Sequence, residues 1–202
     1  MCGIFGIFSN KLVTKPILDG LTKLEYRGYD SSGISILDNN KKIHTLRAKG
    51  KLKNLINKVN KNFPSGFVGI GHTRWATHGV PSTINAHPHT SESVSIVHNG
   101  IIENYLELRE YLKDQGYVFS SQTDSELIAH LLDFFLNQGN SMIDSMYKTK
   151  DKLDGAYAIA AIDREDDSNI VIARSKSPLL IGLGTDEYLA ASDPLAIAQL
   201  TN

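Results

Sequence analysis

Strand-like segments gather toward the two ends of this 202-residue chain, and two helices follow one another in the middle. No other feature constrains the fold as much. A parallel sheet needs a crossover helix between successive strands, so strands, then helices, then strands predict an α+β domain with mostly antiparallel sheets. The first strand covers 3–8, a short apolar run bounded by Ser9 and Asn10. Strands are also predicted at 33–37 and 43–48, joined by a turn at Asp38-Asn39-Asn40, at 68–74, and at 94–97, the last ending at His98-Asn99-Gly100. Four more, at 156–163, 170–175, 179–183 and 188–191, close the chain.

Helical spacing marks 14–28, with Thr14 as N-cap and Gly28 as stop, and a shorter stretch carrying Leu52, Leu55, Ile56 and Val59. The central helices are predicted at 103–115, stopped by Gly116, and at 125–138, stopped by Gly139, with a weaker one over 141–153. Thr123 and Glu126 have the spacing of a capping box, which puts Asp124 at a helix entrance. Asp193-Pro194 reads as the start of a further helix. Residues 75–93 hold Gly, Pro, Ser, Thr and His without periodicity, and a loop that long in a domain is usually functional or disordered.

The formal net charge of −1 gives no electrostatic reason to expect nucleic acid or an acidic membrane surface as partner. No apolar stretch approaches the roughly 20 residues of a membrane helix, and no signal-peptide pattern opens the chain. A single cysteine excludes an internal disulfide and fits a reducing compartment, so a cytoplasmic location is expected.

That cysteine is Cys2. Removal of Met1 would give it a thiol and a free α-amine on one residue. Their ordinary pKa values, about 8.5 and roughly 7.7–8.0, let the amine act as base for its own nucleophile. Alone, a cysteine in this place reads as a small buried residue opening a strand. Alone, Asn99-Gly100 is a turn dipeptide, Asp124 a helix-capping carboxylate, Arg74 a surface arginine and Trp75 a core aromatic.

Five stretches change those readings when taken together: LEYRGYDSSG at 24–33, GHTRWATHG at 71–79, NAHPH at 85–89, HNG at 98–100 and TDSE at 123–126. In this order they closely resemble the class II glutamine amidotransferases, whose glutaminase domain is an N-terminal-nucleophile hydrolase. The resemblance runs from Met1 to about Asp193. It implies a four-layer αββα sandwich of two mostly antiparallel sheets flanked by helices, and a single glutaminase domain over 1–202. It also implies hydrolysis of the side-chain amide of L-glutamine through a γ-glutamyl thioester on Cys2, with no cofactor.

By resemblance, Asn99 and Gly100 form the oxyanion hole, Arg74 with Thr77 and His78 takes the α-carboxylate, and Asp124 with the Gly100 carbonyl takes the α-ammonium. Trp75 helps gate the exit for ammonia. Arg27 and Asp30 have supporting roles, which an internal ion pair would explain almost equally well. Cys2 is expected at a strand edge facing a pocket.

Five histidines, His72, His78, His87, His89 and His98, lie within 27 residues and raise a metal-site alternative. The HxH pair His87/His89 comes without an HExxH helix or a second cysteine, and the family uses no metal.

RGYDSSG and HTRWATHG are the forms found in the amino-sugar-forming aminotransferases, where sugar-isomerase subdomains follow and receive the ammonia. Those subdomains are absent here. The chain by itself is expected to be a monomeric glutaminase domain, slightly short at its C-terminal end, and not a synthase. Two other readings stay open: a non-catalytic module that binds glutamine or a partner protein, and the glutaminase domain of another member such as an amidophosphoribosyltransferase.

Overall fold

A computed structural model describes residues 2–59, 63–76, 78–198 and 200. In chain order its elements are β1 (Gly3–Ser9), α1 (Thr14–Leu24), a 3-10 turn (Glu25–Arg27), β2 (Ser31–Leu37), β3 (Ile43–Lys49), α2 (Leu52–Lys58), β4 (Val68–Arg74) and β5 (His89–Thr90). There follow β6 (Val94–Ile102), α3 (Tyr105–Asp114), α4 (Glu126–Leu136), α5 (Met142–Lys152), β7 (Gly155–Asp163), β8 (Asp166–Ser175), β9 (Leu180–Gly184), β10 (Glu187–Ala191) and a 3-10 turn at Pro194–Ala196.

The strands form two antiparallel sheets, one in the order β3-β2-β4-β1-β10-β9 and one in the order β5-β6-β7-β8. Period-two alternation divides each central strand between two apolar layers. In β1, Phe5 and Ile7 join Ile17, Leu21 and Leu24 of α1 with Leu52 and Leu55 of α2. Ile4 turns to the opposite face and packs with Val68, Ile70, Val97, Ala158, Ala160 and Ile162 between the sheets. In β6 and β7, Val94, Ile96, Ile159 and Ala161 pack outward on α3, α4 and α5. Helices, sheet, sheet and helices thus form the four-layer αββα sandwich. Of the helices α4 is the most deeply set, with Leu127, Ile128, Leu131, Leu132 and Phe135 buried, each contributing about 1.5–3 kcal/mol by leaving water.

Local capping differs from the sequence-based expectation in two places. Val13, and not Thr14, precedes the first turn of α1, and the Thr14 hydroxyl has no hydrogen-bond partner. The Thr123–Glu126 capping box does not form. Ser125 is the N-cap residue of α4. Glu126 reaches back past it to the Ser120 N–H (2.8 Å), the Ser120 hydroxyl (2.7 Å) and the Ser121 N–H (2.6 Å). The Thr123 hydroxyl lies 2.9 Å from that of Ser121 and 3.0 Å from His89 Nε2. The preceding segment folds back over the helix entrance and offers Glu126 more donors than the single backbone N–H of an N-cap residue could.

A third difference matters for the site. His98-Asn99-Gly100 does not end its strand: β6 continues to Ile102, with Gly100 opposite Tyr157 of β7. Gly100 has φ +129°, a backbone conformation that suits glycine, so a residue that reads as a turn is held inside a strand.

Candidate active site

β1 is interior to its sheet, so Cys2 stands at a strand end and not on a sheet edge. The register of β1 on β4 sets Gly3 opposite Thr73, and this carries Cys2 to the segment just after β4. The Trp75 N–H donates to Cys2 Sγ at 3.2 Å, and the thiol lies 3.4 Å from the Trp75 carbonyl. Burial pushes the thiol pKa up, against the opposing pull of the Trp75 N–H and the Arg74 charge. A thiol so placed stays protonated at neutral pH and needs a base to become a nucleophile.

The second sheet brings amide donors to the same place. β5 pairs only with Ser95 and Ile96, so from Val97 onward that edge of β6 has no strand beside it among the described residues. Asn99 points from there toward the first sheet, and its Nδ2 donates to the Cys2 carbonyl at 3.0 Å. His72 Nε2 lies 2.9 Å from Asn99 Oδ1 and 3.0 Å from the His98 carbonyl.

Arg74 ends β4, on the same face as His72 by the two-residue period of the strand. It is buried, and its Nη2 donates to the carbonyls of His78 and Gly79, the latter at 3.2 Å. Arg74 Nη1 lies 3.9 Å from Asp30 Oδ1 and makes no hydrogen bond. Asp30 in turn accepts from the Ser31 hydroxyl at 2.8 Å and from the Ala76 N–H, and so holds the start of the long loop.

Arg27 and Asp30 do not pair with each other. Arg27 donates to the Ser192 carbonyl at 3.0 Å and lies 3.4 Å from Asp193, which also accepts from the Tyr26 hydroxyl at 2.6 Å. Both residues are in ion pairs, but with different partners on opposite sides of Gly28. A side chain at Gly28 would meet the Arg74 carbonyl carbon at 2.6 Å, which explains the glycine between them.

Asp124 is buried, and its Oδ2 accepts from the Ile102 N–H at 2.9 Å, tying the end of β6 to the entrance of α4. It makes no helix cap. Ser125 Oγ lies 3.4 Å from Asp124 Oδ1 and 2.8 Å from His98 Nδ1. Cys2, Arg74, Trp75, His78, His98, Gly100 and Asp124 all border one small cavity of about 20 Å³, room for a water molecule. The larger grooves on either side of β8, about 410 and 390 Å³, hold none of these residues.

His78 offers its carbonyl to Arg74 and sets its ring edge-on to Tyr105 at 5.5 Å. Trp75 is no core residue: it is 47 % exposed, its ring meets that of Tyr29 edge-on at 5.4 Å, and it borders the cavity. Thr77 and Met1 lie outside the described residues.

Behind the cavity, the His87 ring lies 4.1 Å from that of His72, 4.6 Å from that of His89 and 6.4 Å from that of His98. Burial lowers the pKa of His72 and His89 to about 3 and that of His87 well below its ordinary value, so these rings are neutral. Among the described residues no three His, Cys, Asp or Glu side chains are placed to share a metal ion. The contacts of His72 and Ser125 were not anticipated from sequence. For His72 a signal existed, because a residue two before Arg74 on a strand must share its face.

Residues 72–199 match the family described as glutamine amidotransferase domain. The chain is 49% identical over 201 residues to the glutamine–fructose-6-phosphate aminotransferase [isomerizing] of Vibrio parahaemolyticus, a match covering 100% of this chain and 33% of that protein. It is 48% identical over 202 residues to the protein of the same name from Buchnera aphidicola, again covering 100% of this chain and 33% of the relative. The chain thus spans about a third of the length of these curated relatives.

Among solved structures, the glutamine phosphoribosylpyrophosphate amidotransferase of B. subtilis, complexed with ADP and GMP, matches with a TM-score of 0.83 at 27% identity, over 98% of this chain and 43% of that one. A glutamine aminotransferase class-II domain protein from Silicibacter pomeroyi shares the fold at a TM-score of 0.62 and 13% identity, over 94% of this chain and 88% of that one. With the family matched and the sandwich in common, the chain belongs to the glutamine amidotransferase domain family, on the N-terminal-nucleophile hydrolase fold.

Proposed function

We propose that Cys2, freed of Met1, hydrolyses the side-chain amide of L-glutamine to glutamate and ammonia. The observation that carries this reading is that the residue bearing the only thiol meets a side-chain amide donor from the other sheet, Asn99 Nδ2 on the Cys2 main-chain carbonyl at 3.0 Å. The Cys2 amine takes the thiol proton, directly or through one water, and the sulfur attacks the γ-carbonyl carbon. Negative charge then forms on the carbonyl oxygen. The second Asn99 Nδ2 proton and the Gly100 N–H are its donors, and loss of one such donor typically costs about 3–4 kcal/mol. The C–N bond breaks, ammonia leaves with the proton, and water hydrolyses the thioester to glutamate and the free thiol.

Arg74, with a guanidinium nitrogen that lacks a hydrogen-bond partner, clasps the α-carboxylate together with Thr77 and His78. Asp124 and the Gly100 carbonyl receive the α-ammonium. A cavity of about 20 Å³ is too small for glutamine, so the loop after Arg74 opens to admit it, which frees Sγ from Trp75. Trp75 then closes over the bound molecule and keeps water from the thioester. Arg27 and Asp30 support this loop and the strand ends beside it.

The longer relatives are named as glutamine–fructose-6-phosphate aminotransferases, and fructose 6-phosphate is accordingly the acceptor we assign to this ammonia, to be bound by a part of the enzyme outside this chain. The isolated domain, read as a single unit over 1–202, works as a cytoplasmic monomeric glutaminase that needs no cofactor. Identity of 49% to the sugar-phosphate aminotransferases, against 27% to the phosphoribosylpyrophosphate enzyme, favours the sugar acceptor.

Mass spectrometry of the N-terminus paired with a glutamate-release assay tests the reading. Chains beginning at Cys2 release glutamate, and Cys2→Ala abolishes it. A processed chain that binds glutamine without Cys2-dependent release would be a binding module instead.

A further inference from the structure

The Asn99 amide can present either its oxygen or its NH₂ group toward Cys2, and only the second orientation supplies a donor to an oxyanion. The Cys2 carbonyl, which can only accept, favours that orientation, and a residue on the far side of the amide locks it. His72 is fully buried on β4, and its Nε2 faces two oxygens at once, the His98 carbonyl at 3.0 Å and Asn99 Oδ1 at 2.9 Å. A main-chain carbonyl can only accept, so a bare Nε2 in that position would face it lone pair to lone pair. The carbonyl therefore selects the tautomer with hydrogen on Nε2. That hydrogen, shared between the two oxygens, holds Asn99 Oδ1 on the histidine side. The Asn99 NH₂ group is left toward Cys2, one hydrogen on the Cys2 carbonyl at 3.0 Å and the other available.

We infer that His72 is a positioning residue for amide hydrolysis: locked as its Nε2–H tautomer by the His98 carbonyl, it sets the side-chain amide of Asn99 as a donor beside Cys2. The inference rests on the glutaminase reading above. The site contains a second consequence of the same geometry. His72 Nδ1 has no hydrogen-bond partner and its ring lies against His87, whose two nitrogens also have none, so no neighbour competes for the opposite tautomer. A leucine in place of His72 would leave Asn99 Oδ1 and the His98 carbonyl without their shared donor, and only the Cys2 carbonyl would then oppose rotation of the Asn99 amide. A glutamine could restore a donor near the Nε2 position.

Steady-state glutamate release by the 202-residue chain with its Cys2 amine free, measured for His72→Leu, His72→Gln, Asn99→Ala and His72→Leu/Asn99→Ala, tests this. His72→Leu should lower kcat by about 10²-fold, the size of a lost oxyanion donor, with KM for glutamine little changed. His72→Gln should recover most of that loss. In the Asn99→Ala background, His72→Leu should cost less than about twofold more, because its effect runs through Asn99. A purely structural histidine would instead give losses that multiply.

Nitrogen-15 NMR of His72 in the unaltered chain reads the tautomer without any variant, and so keeps a result available should His72→Leu fail to fold. An Nδ1–H tautomer, or full kcat in folded His72→Leu alongside Cys2-dependent release by the parent chain, would overturn the inference and leave the glutaminase reading standing. Absence of Cys2-dependent release in the parent chain would overturn the glutaminase reading itself and the catalytic role of His72 with it.

Discussion

Replacing Gly100 by alanine should damage this protein more than replacing an equally strained glycine elsewhere, and the difference can be worked out from the structure. Gly100 has φ +129°, and a Cβ built on it would overlap the Ala156 carbonyl oxygen and meet Tyr157 Cα at 2.8 Å. Those atoms belong to the backbone of β7, pinned between β6 and β8, and cannot swing aside as a side chain would. The backbone conformation alone costs about 1–3 kcal/mol for a residue with a Cβ, and forcing apart well-packed atoms about 1–3 kcal/mol more. Gly116 supplies the control, since it has φ +92° and nothing within 4 Å of a built Cβ. Gly116→Ala should therefore cost only the conformational part, about 1–3 kcal/mol.

In a chain of this size 1 kcal/mol moves Tm by about 2–4 °C, so the extra cost of about 1–3 kcal/mol should make Gly100→Ala melt roughly 2–12 °C below Gly116→Ala. Scanning calorimetry of the two variants measures this directly. Gly100→Ala should also lose glutamate release, because moving β6 off β7 moves Asn99 away from Cys2. Equal melting temperatures for the two variants would show that β6 yields at Gly100, and the account of a rigid strand presenting the site would fail.

Arg74→Ala should raise KM for glutamine by about 10–100-fold with a smaller effect on kcat, because the α-carboxylate contact is alike in ground and transition states. A kcat loss larger than the KM change would show that its bonds to His78 and Gly79 govern the loop instead. Stability should fall on mild acidification. His72 and His89 have folded pKa values of about 3 against an ordinary 6.5, so the unfolded chain takes up protons that the folded one refuses. Their contribution is complete above about pH 6.5 and drains away as pH drops toward 3, by up to about 1.4 kcal/mol per pH unit for each ring. Calorimetry at pH 7 and pH 5 should show a clear drop in Tm, and an unchanged Tm would contradict the neutral, buried assignment. Glu126→Gln should destabilise by about 1–3 kcal/mol, read from urea unfolding, because its amide nitrogen would replace one of the two oxygens and face either the Ser120 or the Ser121 N–H, each of which the carboxylate now satisfies.

Much of the sandwich was legible along the chain. The runs in β1, β4 and β7 alternate or persist with the period of a strand, and α4 carries an apolar set so dense that burial on nearly every side is its only stable environment. Local signals failed where a distant segment offered a better partner. Glu126 abandoned the capping box for three donors in residues 120–121, and Gly100 entered a strand because β7 lay alongside.

The sequence by itself determined which chemistry the chain carries. A lone thiol at position two and the RGYD, HTRW and HNG stretches hold the groups we propose to react or bind, because residue type sets nucleophilicity, charge and donor capacity whatever the fold. Tertiary structure alone decided how those groups are aimed. Arg27 turning to Asp193, Asp30 to the loop, and Asn99 across the sandwich to Cys2 are contacts between residues far apart in sequence. The tautomer of His72 depends on a carbonyl 26 residues away that only sheet packing brings within reach. Hydrogen bonds act over about 3 Å, and no spacing rule along a strand or helix specifies which atoms of two separate sheets will come that close.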